Sequence, residues 1–237
     1  MTHSGSKFPH LGLVAGLALA AGMTLAASAH ATTTFDSTLA DPPGVFFGTG
    51  NPNLHWTVAD GADGTELGLQ ALKRFLGPYT PDPGTATYHV DTGATTVPTK
   101  TGAAWDYAFS VGGGTHALSN LTATLFFTDV GLGTTGSFDQ LLIPDNAISG
   151  NVAQNAEALS FSGIAALLDP GFDLNADDTY KLSLVLTLND CAADCTLDTV
   201  DATFIAGDGA KVPEPATLAL FGFGLAGLGL IRRRKSA

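Results

Sequence analysis

The sequence predicts an all-β fold, an antiparallel β-sandwich of the jelly-roll or immunoglobulin type, between a cleavable signal peptide and a C-terminal transmembrane helix. Several segments alternate apolar and polar residues at period two, and clusters of Gly, Pro, Asp and Asn separate them. No internal repeat of fixed period is present. We therefore expect a signal peptide at residues 1–31, one domain at residues 32–211 and a membrane segment at residues 212–237.

The N-terminus has the features of a signal peptide. Lys7 and His10 precede an Ala-, Leu- and Gly-rich run at residues 11–25, and Ala29-His30-Ala31 is a small-x-small cleavage site. A permanent membrane span is the alternative. Because the run is short and ends at this site, we favour cleavage after Ala31, which makes Thr32 the first mature residue.

Two segments show the strand pattern most clearly. In residues 104–111 aromatic and Val side chains occupy every second position, and in residues 179–188 Tyr and Leu do so. Both are predicted to be half-buried strands. Further strands are predicted at residues 85–90, 121–130 and 196–206.

Two other segments are ambiguous. Residues 65–76 fit both period two and a helical spacing, and we favour a strand. Residues 153–168 fit a short helix, a strand, or both in turn. Gly- and Pro-containing turns bound this second segment on both sides.

The charge of the domain limits its partners. Residues 32–211 contain five basic and twenty-one acidic residues, a net charge of −16. Nucleic acid and anionic membrane surfaces are bound by neutralising phosphate with Lys and Arg, so both are poor partners. A chain this acidic is suited to remain soluble outside the cell.

The two cysteines, Cys191 and Cys195, lie close together in a loop-like stretch. In an oxidising compartment such a pair forms a disulfide, here between two predicted strands. A redox-active or metal-binding pair is the alternative. It is disfavoured because the spacing is CxxxC and no second pair completes a zinc site.

An acidic loop offers a candidate calcium site. Asp173, Asn175 and Asp177 carry oxygen at alternate positions, as hard cations require. An EF-hand loop needs Gly at its sixth position and a carboxylate at its twelfth, but these are Asp178 and Leu184. An Asx-rich turn is therefore the favoured interpretation. The Gly-containing turn at residues 60–66, with three carboxylates, is a second candidate of the same kind.

Catalytic patterns are weak throughout the chain. His55, His89 and His116 lie far apart in sequence, which disfavours a three-histidine metal site. No nucleophile elbow, phosphate-binding loop or HExxH motif occurs. Glu66 and Glu157 are the mature glutamates, and nothing marks an acidic pair for glycoside hydrolysis. We predict that the protein is not an enzyme.

The C-terminus combines three features. Pro213, Glu214 and Pro215 precede an uncharged apolar run at residues 216–231, and a basic cluster follows it. The run would span about 24 Å as a helix, which is short for a bilayer. By the positive-inside rule, the preceding domain lies outside. The basic cluster consists of Arg232, Arg233, Arg234 and Lys235.

This tail closely resembles the sorting tag of PEP-CTERM proteins. The resemblance implies that an exosortase recognises Pro213, Glu214 and Pro215, that Arg232–Lys235 stop transfer, and that a Gram-negative cell exports the protein through a transient inner-membrane anchor. Segments at residues 65–71, 105–111, 151–155 and 172–180 are similar to those of uncharacterised PEP-CTERM surface proteins. This implies a β-rich extracellular domain with no known enzymatic activity.

Together these features predict an exported cell-surface or matrix protein with a structural or interaction role in exopolysaccharide or biofilm. No cofactor is expected apart from the candidate calcium. One alternative is a carbohydrate-binding module, and another is a secreted hydrolase. Core packing is the competing interpretation for the aromatic side chains, above all for Trp105. The candidate stacking residues are Trp56, Tyr79, Tyr88, Trp105 and Tyr107.

Overall fold

A computed structural model of the chain describes residues 32–40, 52–61, 63–74, 76–97, 100–160, 173–191 and 195–209. The regular elements in these ranges are fourteen strands and two short 3-10 helices. The strands are β1 Thr32–Ser37, β2 Trp56–Asp60, β3 Glu66–Lys73, β4 Gly77–Pro78, β5 Thr87–Val90, β6 Ala94–Val97, β7 Lys100–Ala103, β8 Trp105–Gly112, β9 Leu121–Asp129, β10 Thr134–Asp139, β11 Ala147–Ser149, β12 Val152–Ala158, β13 Asp178–Leu188 and β14 Thr196–Ala206. The 3-10 helices span Leu118–Asn120 and Gln140–Leu142.

The strands form two main sheets. The seven-stranded sheet has the order β1-β2-β3-β8-β12-β11, with β4 beside β3, and the five-stranded sheet has the order β10-β9-β13-β14-β5. Strands β6 and β7 form a separate hairpin. The prediction of antiparallel sheets is confirmed, except that β5 pairs with β14 in parallel.

One apolar core lies between the two sheets. Trp105 of the seven-stranded sheet stacks on Phe204 of the five-stranded sheet, with ring centroids 5.2 Å apart. Tyr88 stacks on the same Phe204 ring at 5.3 Å. Burying each such ring contributes about 1.5–3 kcal/mol of transfer free energy. The two sheets therefore pack face to face as a sandwich.

The five-stranded sheet keeps the predicted alternation. Strands β9, β13 and β14 bury every second side chain against the core and expose the others to varying degrees. The predicted strands at residues 121–130, 179–188 and 196–206 are confirmed within one residue. The strand predicted at residues 85–90 is shorter, since β5 begins at Thr87.

The central strands of the seven-stranded sheet, β3 and β8, are buried on both faces. The prediction that residues 104–111 form a half-buried strand is wrong in this respect, because nearly every residue of β8 is buried. A second apolar cluster covers the outer face, with Leu39 and Trp56 packed against Gly68. A methyl group at Gly68 would lie 2.7 Å from Leu39 Cδ2. Asn53 holds this covering segment through bonds of 2.8 and 2.9 Å to the backbone of Leu39.

The ambiguous segments are largely strands. The strand favoured at residues 65–76 is confirmed as β3, and the start of the 153–168 segment belongs to β12. Residues 161–172 lie outside the described residues. Several strands were not predicted from the period-two pattern. They are β1, β2, β6, β7, β10 and β11, and β10 begins within one of the Gly-containing clusters that separate the predicted strands.

The described ranges include no helix that is long and apolar enough to cross a membrane. The predicted signal peptide at residues 1–31 and the membrane segment at residues 212–237 lie outside the described residues.

Candidate functional site

An open groove crosses the outer face of the five-stranded sheet, over the middle of β9, β13 and β14. Its volume is about 420 Å³. We term it the sheet groove. It is lined by Phe126, Thr128, Lys181, Leu182, Ser183, Asp201, Ala202 and Thr203.

Strand register places six of these side chains in two adjacent rows. Directly opposed residues in an antiparallel pair have Cβ atoms about 4.5–5.5 Å apart, so neighbours within a row are in reach of one ligand. The side chains point outward because they alternate with the buried leucines and aromatics of the same strands. The rows are Phe126–Ser183–Asp201 and Thr128–Lys181–Thr203.

The sheet groove combines an aromatic surface with hydrogen-bonding groups. Phe126 is 41% exposed, and residues with hydroxyl groups lie beside it. Lys181 and Asp201 are exposed, and Lys181 makes no ion pair with any described residue. The groove therefore offers an apolar ring, a free ammonium donor, a carboxylate acceptor and hydroxyls on one open face.

The aromatic residues predicted to stack on a ligand lie elsewhere. Trp56, Trp105, Tyr88 and Tyr107 are each no more than 3% exposed, so the stacking hypothesis is wrong for these four. They belong to the apolar clusters, where their burial stabilises the sandwich. Tyr79 is half-buried against the core, and burial raises its pKa to about 12.

The acidic loop at residues 173–178 forms an Asx turn, which supports the favoured interpretation. Asp173 Oδ1 accepts hydrogen bonds of 3.0 Å from both the backbone and the side-chain nitrogen of Asn175. Asp177 lies instead against Gly207, and Asp178 is turned toward Gly131. The loop's oxygens therefore point in different directions, and calcium at Asp173, Asn175 and Asp177 stays a prediction.

The three mature histidines each face a different aspartate. His55 lies 2.5 Å from Asp36, and His89 lies 3.1 Å from Asp82. His116 is paired in the same way with Asp63 at 3.5 Å. Within the described ranges no three His, Cys, Asp or Glu side chains converge as a metal site.

The two mature glutamates are far apart. Glu66 lies opposite Gly112 on one side of β8, and Glu157 lies opposite Tyr107 on the other side. Five residues of strand separate these positions by about 16 Å, which exceeds the spacing of a glycosidase carboxyl pair. Burial raises the pKa of Glu157 to about 7, with Asp145 and Asp106 adding to the shift.

A disulfide joins Cys191 and Cys195, as the sequence predicts. It closes the connection between β13 and β14, where Leu188 N also donates to Cys195 O at 2.9 Å. The pair has a structural position rather than one beside the sheet groove.

Sequence reasoning did not predict that three carboxylates are buried: Asp129, Asp178 and Asp198 are each at most 8% exposed. Burial raises the pKa of Asp129 to about 6, and Asp178 beside it adds to the shift. Burial likewise raises the pKa of Asp198 to about 6. The sequence does contain a sign of this burial. Each aspartate occupies a position that alternates in phase with the core-facing apolar residues of its strand.

The predicted sorting residues, Pro213, Glu214, Pro215 and Arg232–Lys235, lie outside the described residues. A comparison with protein families matches residues 211–235 to the PEP-CTERM protein-sorting motif. The matched segment contains all seven of these residues. No curated protein matches the chain.

Proposed function

We propose that this PEP-CTERM protein, which is exported and processed by an exosortase, serves at the cell surface or in the extracellular matrix and contacts polysaccharide there. The role is structural or interactive, as part of exopolysaccharide or biofilm. In this proposal the sheet groove is the contact surface, and the exosortase is a processing partner only.

The exposed ring of Phe126 carries the proposal. Phe126 is 41% exposed and lies at one side of an open face that also carries the hydroxyls of Thr128, Ser183 and Thr203. Sugar rings present an apolar face and a rim of hydroxyls. Phe126 matches the apolar face, and Lys181, Asp201 and the neighbouring hydroxyls match the rim.

The charge of the domain favours a neutral glycan. With a net charge of −16 over residues 32–211, the domain repels polyanions at long range, and Lys181 is the single basic residue lining the groove. We propose no catalytic step, since the supporting features are those of a binding face.

A polysaccharide pull-down with the exported protein tests the proposal. Phe126→Ala should weaken binding to neutral extracellular glycans by roughly fivefold, because a stacked ring contributes on the order of 1 kcal/mol. The melting temperature should change little. Ile148→Ala is the matched control, since Ile148 is 64% exposed on β11 of the other sheet.

Reduced binding by the Phe126 variant alone would support the groove as the contact surface. Equal binding by the wild type and both variants would place the contact elsewhere. Failure of the wild type to retain any glycan would refute the proposal.

A further inference from the structure

A buried carboxylate near the N-terminal end of β14 has an oxygen without a hydrogen-bond partner among the described residues. Asp198 is 3% exposed, and its Oδ1 accepts the N–H of Thr199 at 2.8 Å. Its Oδ2 is fully enclosed and has no partner among the described residues. A buried oxygen that has no hydrogen-bond partner and no bound cation retains the full free-energy cost of losing its hydration.

A second enclosed oxygen lies in the same place. Thr65 is 1% exposed, and its Oγ1 also lacks a partner in the described part of the chain. Both oxygens border the space beside Gly61. A methyl group at Gly61 would collide with Thr65 Oγ1 and lie 3.4 Å from Asp198 Oδ2. Thr65 Oγ1 can lie this close to the backbone because residue 61 has no side chain.

The backbone supplies a third oxygen. The carbonyl oxygen of Leu197 would lie 3.1 Å from the same methyl group at Gly61. Leu197 is the extra residue of a β-bulge, since Leu186 pairs with Asp198 while Thr187 pairs with Thr196. A β-bulge changes the direction in which neighbouring groups point. This bulge brings both the Leu197 carbonyl and the Asp198 carboxylate next to Gly61.

No described basic side chain neutralises this carboxylate. Lys73 and Arg74 pair with Asp91 and Asp106, respectively. Lys181 lines the sheet groove on the opposite face of the five-stranded sheet. A buried charge without a counter-charge is costly, so the surroundings of Asp198 favour a cation.

We propose that Asp198, Thr65 and the Leu197 carbonyl bind one calcium ion between the turn at residues 60–66 and β14. The donors are all oxygen, which suits a hard cation, and waters would complete the coordination. With one carboxylate in direct contact, the affinity falls in the range of extracellular modules, a Kd of about 0.1–1 mM. The ion links the seven-stranded sheet, through the β2–β3 turn, to the five-stranded sheet.

Thermal unfolding of the full chain in a mild non-ionic detergent tests this site independently of the polysaccharide proposal. Replacing chelator with 10 mM CaCl₂ at constant ionic strength should raise Tm by roughly 4 °C, as mass action predicts for a Kd of about 0.5 mM. Asp198→Asn should abolish the rise. Asp173→Asn is the matched control, because it removes a carboxylate from the other candidate loop, and it should leave the rise intact.

Equilibrium dialysis with ⁴⁵Ca²⁺ provides the second measurement, with one ion expected per wild-type chain. Thr65→Val keeps the shape of the side chain and removes its oxygen, so it should weaken binding several-fold even if Asp198→Asn does not fold. No rise in Tm and no bound ion would show that water or a proton satisfies Asp198, and would overturn the proposal. A rise lost in Asp173→Asn but kept in Asp198→Asn would also overturn it.

Discussion

The two sheets of the sandwich differ in how many faces they bury. In the five-stranded sheet, β9, β13 and β14 alternate between core and solvent along their whole length. In the seven-stranded sheet, β3 and β8 are buried on both faces, because Leu39 and its neighbours cover the outer side. A contact surface for an external partner is therefore available on the outer face of the five-stranded sheet.

The covered face is a second, smaller core rather than a binding surface. Ala108 on β8 is fully buried there, in contact with a cluster that includes Leu39 and Trp56. Buried polar side chains on this face also bond to each other, as where Gln154 Nε2 donates to Ser110 Oγ at 2.9 Å. Substitutions at equivalent outward positions of the two sheets should thus have very different effects.

A charge introduced on each outer face gives the largest expected contrast. Ala108→Asp should destabilise the domain by at least about 3 kcal/mol, because it buries an unpaired carboxylate. Thr128→Asp on β9 should change stability by no more than about 0.5 kcal/mol, since Thr128 lies opposite the exposed Lys181. Chemical denaturation measures both values. Similar losses in the two variants would contradict the assignment of one covered and one open face.

The same difference explains which strands could be predicted. One side of β9 meets water, so its core-facing residues alternate with Thr122, Thr124 and Thr128 and the pattern is visible in the sequence despite Phe126. The core-facing apolar residues are Leu121, Ala123, Leu125 and Phe127. Strand β3 buries Gly68, Gln70 and Leu72 on its outer face as well as apolar residues on its inner face. Its period-two pattern is therefore weaker, and a helical spacing also fits, although a strand is favoured. Only the tertiary contact with Leu39 shows why both faces are buried.

The candidate sites were predictable to different degrees. The disulfide follows from spacing and compartment alone. The sheet groove does not, because it depends on the register of three strands, and Phe126 is an apolar residue on the polar side of β9. The turn at residues 60–66 was singled out from its carboxylates, but its partner Asp198 is distant in sequence and comes from the opposite sheet.

Removal of the disulfide should have a smaller effect than a charge in the covered face. Replacing Cys191 and Cys195 with Ser should cost no more than about 2 kcal/mol, because the closed loop contains few residues. The β13–β14 pairing continues to hold the hairpin together. A loss well above this value, measured by denaturation without reductant, would show that the bridge organises more than its own hairpin.

The pH dependence of Asp129 should give the smallest effect. Its pKa is raised to about 6 in the folded protein, from about 3.9 in the unfolded chain, so the folded state takes up a proton first as pH falls. Ionised Asp129 therefore destabilises the fold above pH 6. This penalty shrinks as the pH falls below 6 and is lost only below about pH 4, where the unfolded chain is also protonated. Asp129→Asn should raise Tm by a few degrees at pH 7.5 and by less at pH 5. An equal difference at both values would mean that Asp129 does not titrate in this range.

The intact mass of the exported protein tests the central claim most directly, namely that the sandwich acts outside the cell after its sorting tag is removed. The predicted signal-peptide cleavage after Ala31 gives a mature chain that begins at Thr32. Removal of the PEP-CTERM segment at residues 211–235 is expected to leave an end near residues 212–215. Replacing Glu214 should trap the full-length form in the inner membrane. Exported protein that still carries Arg232–Lys235 would contradict the account.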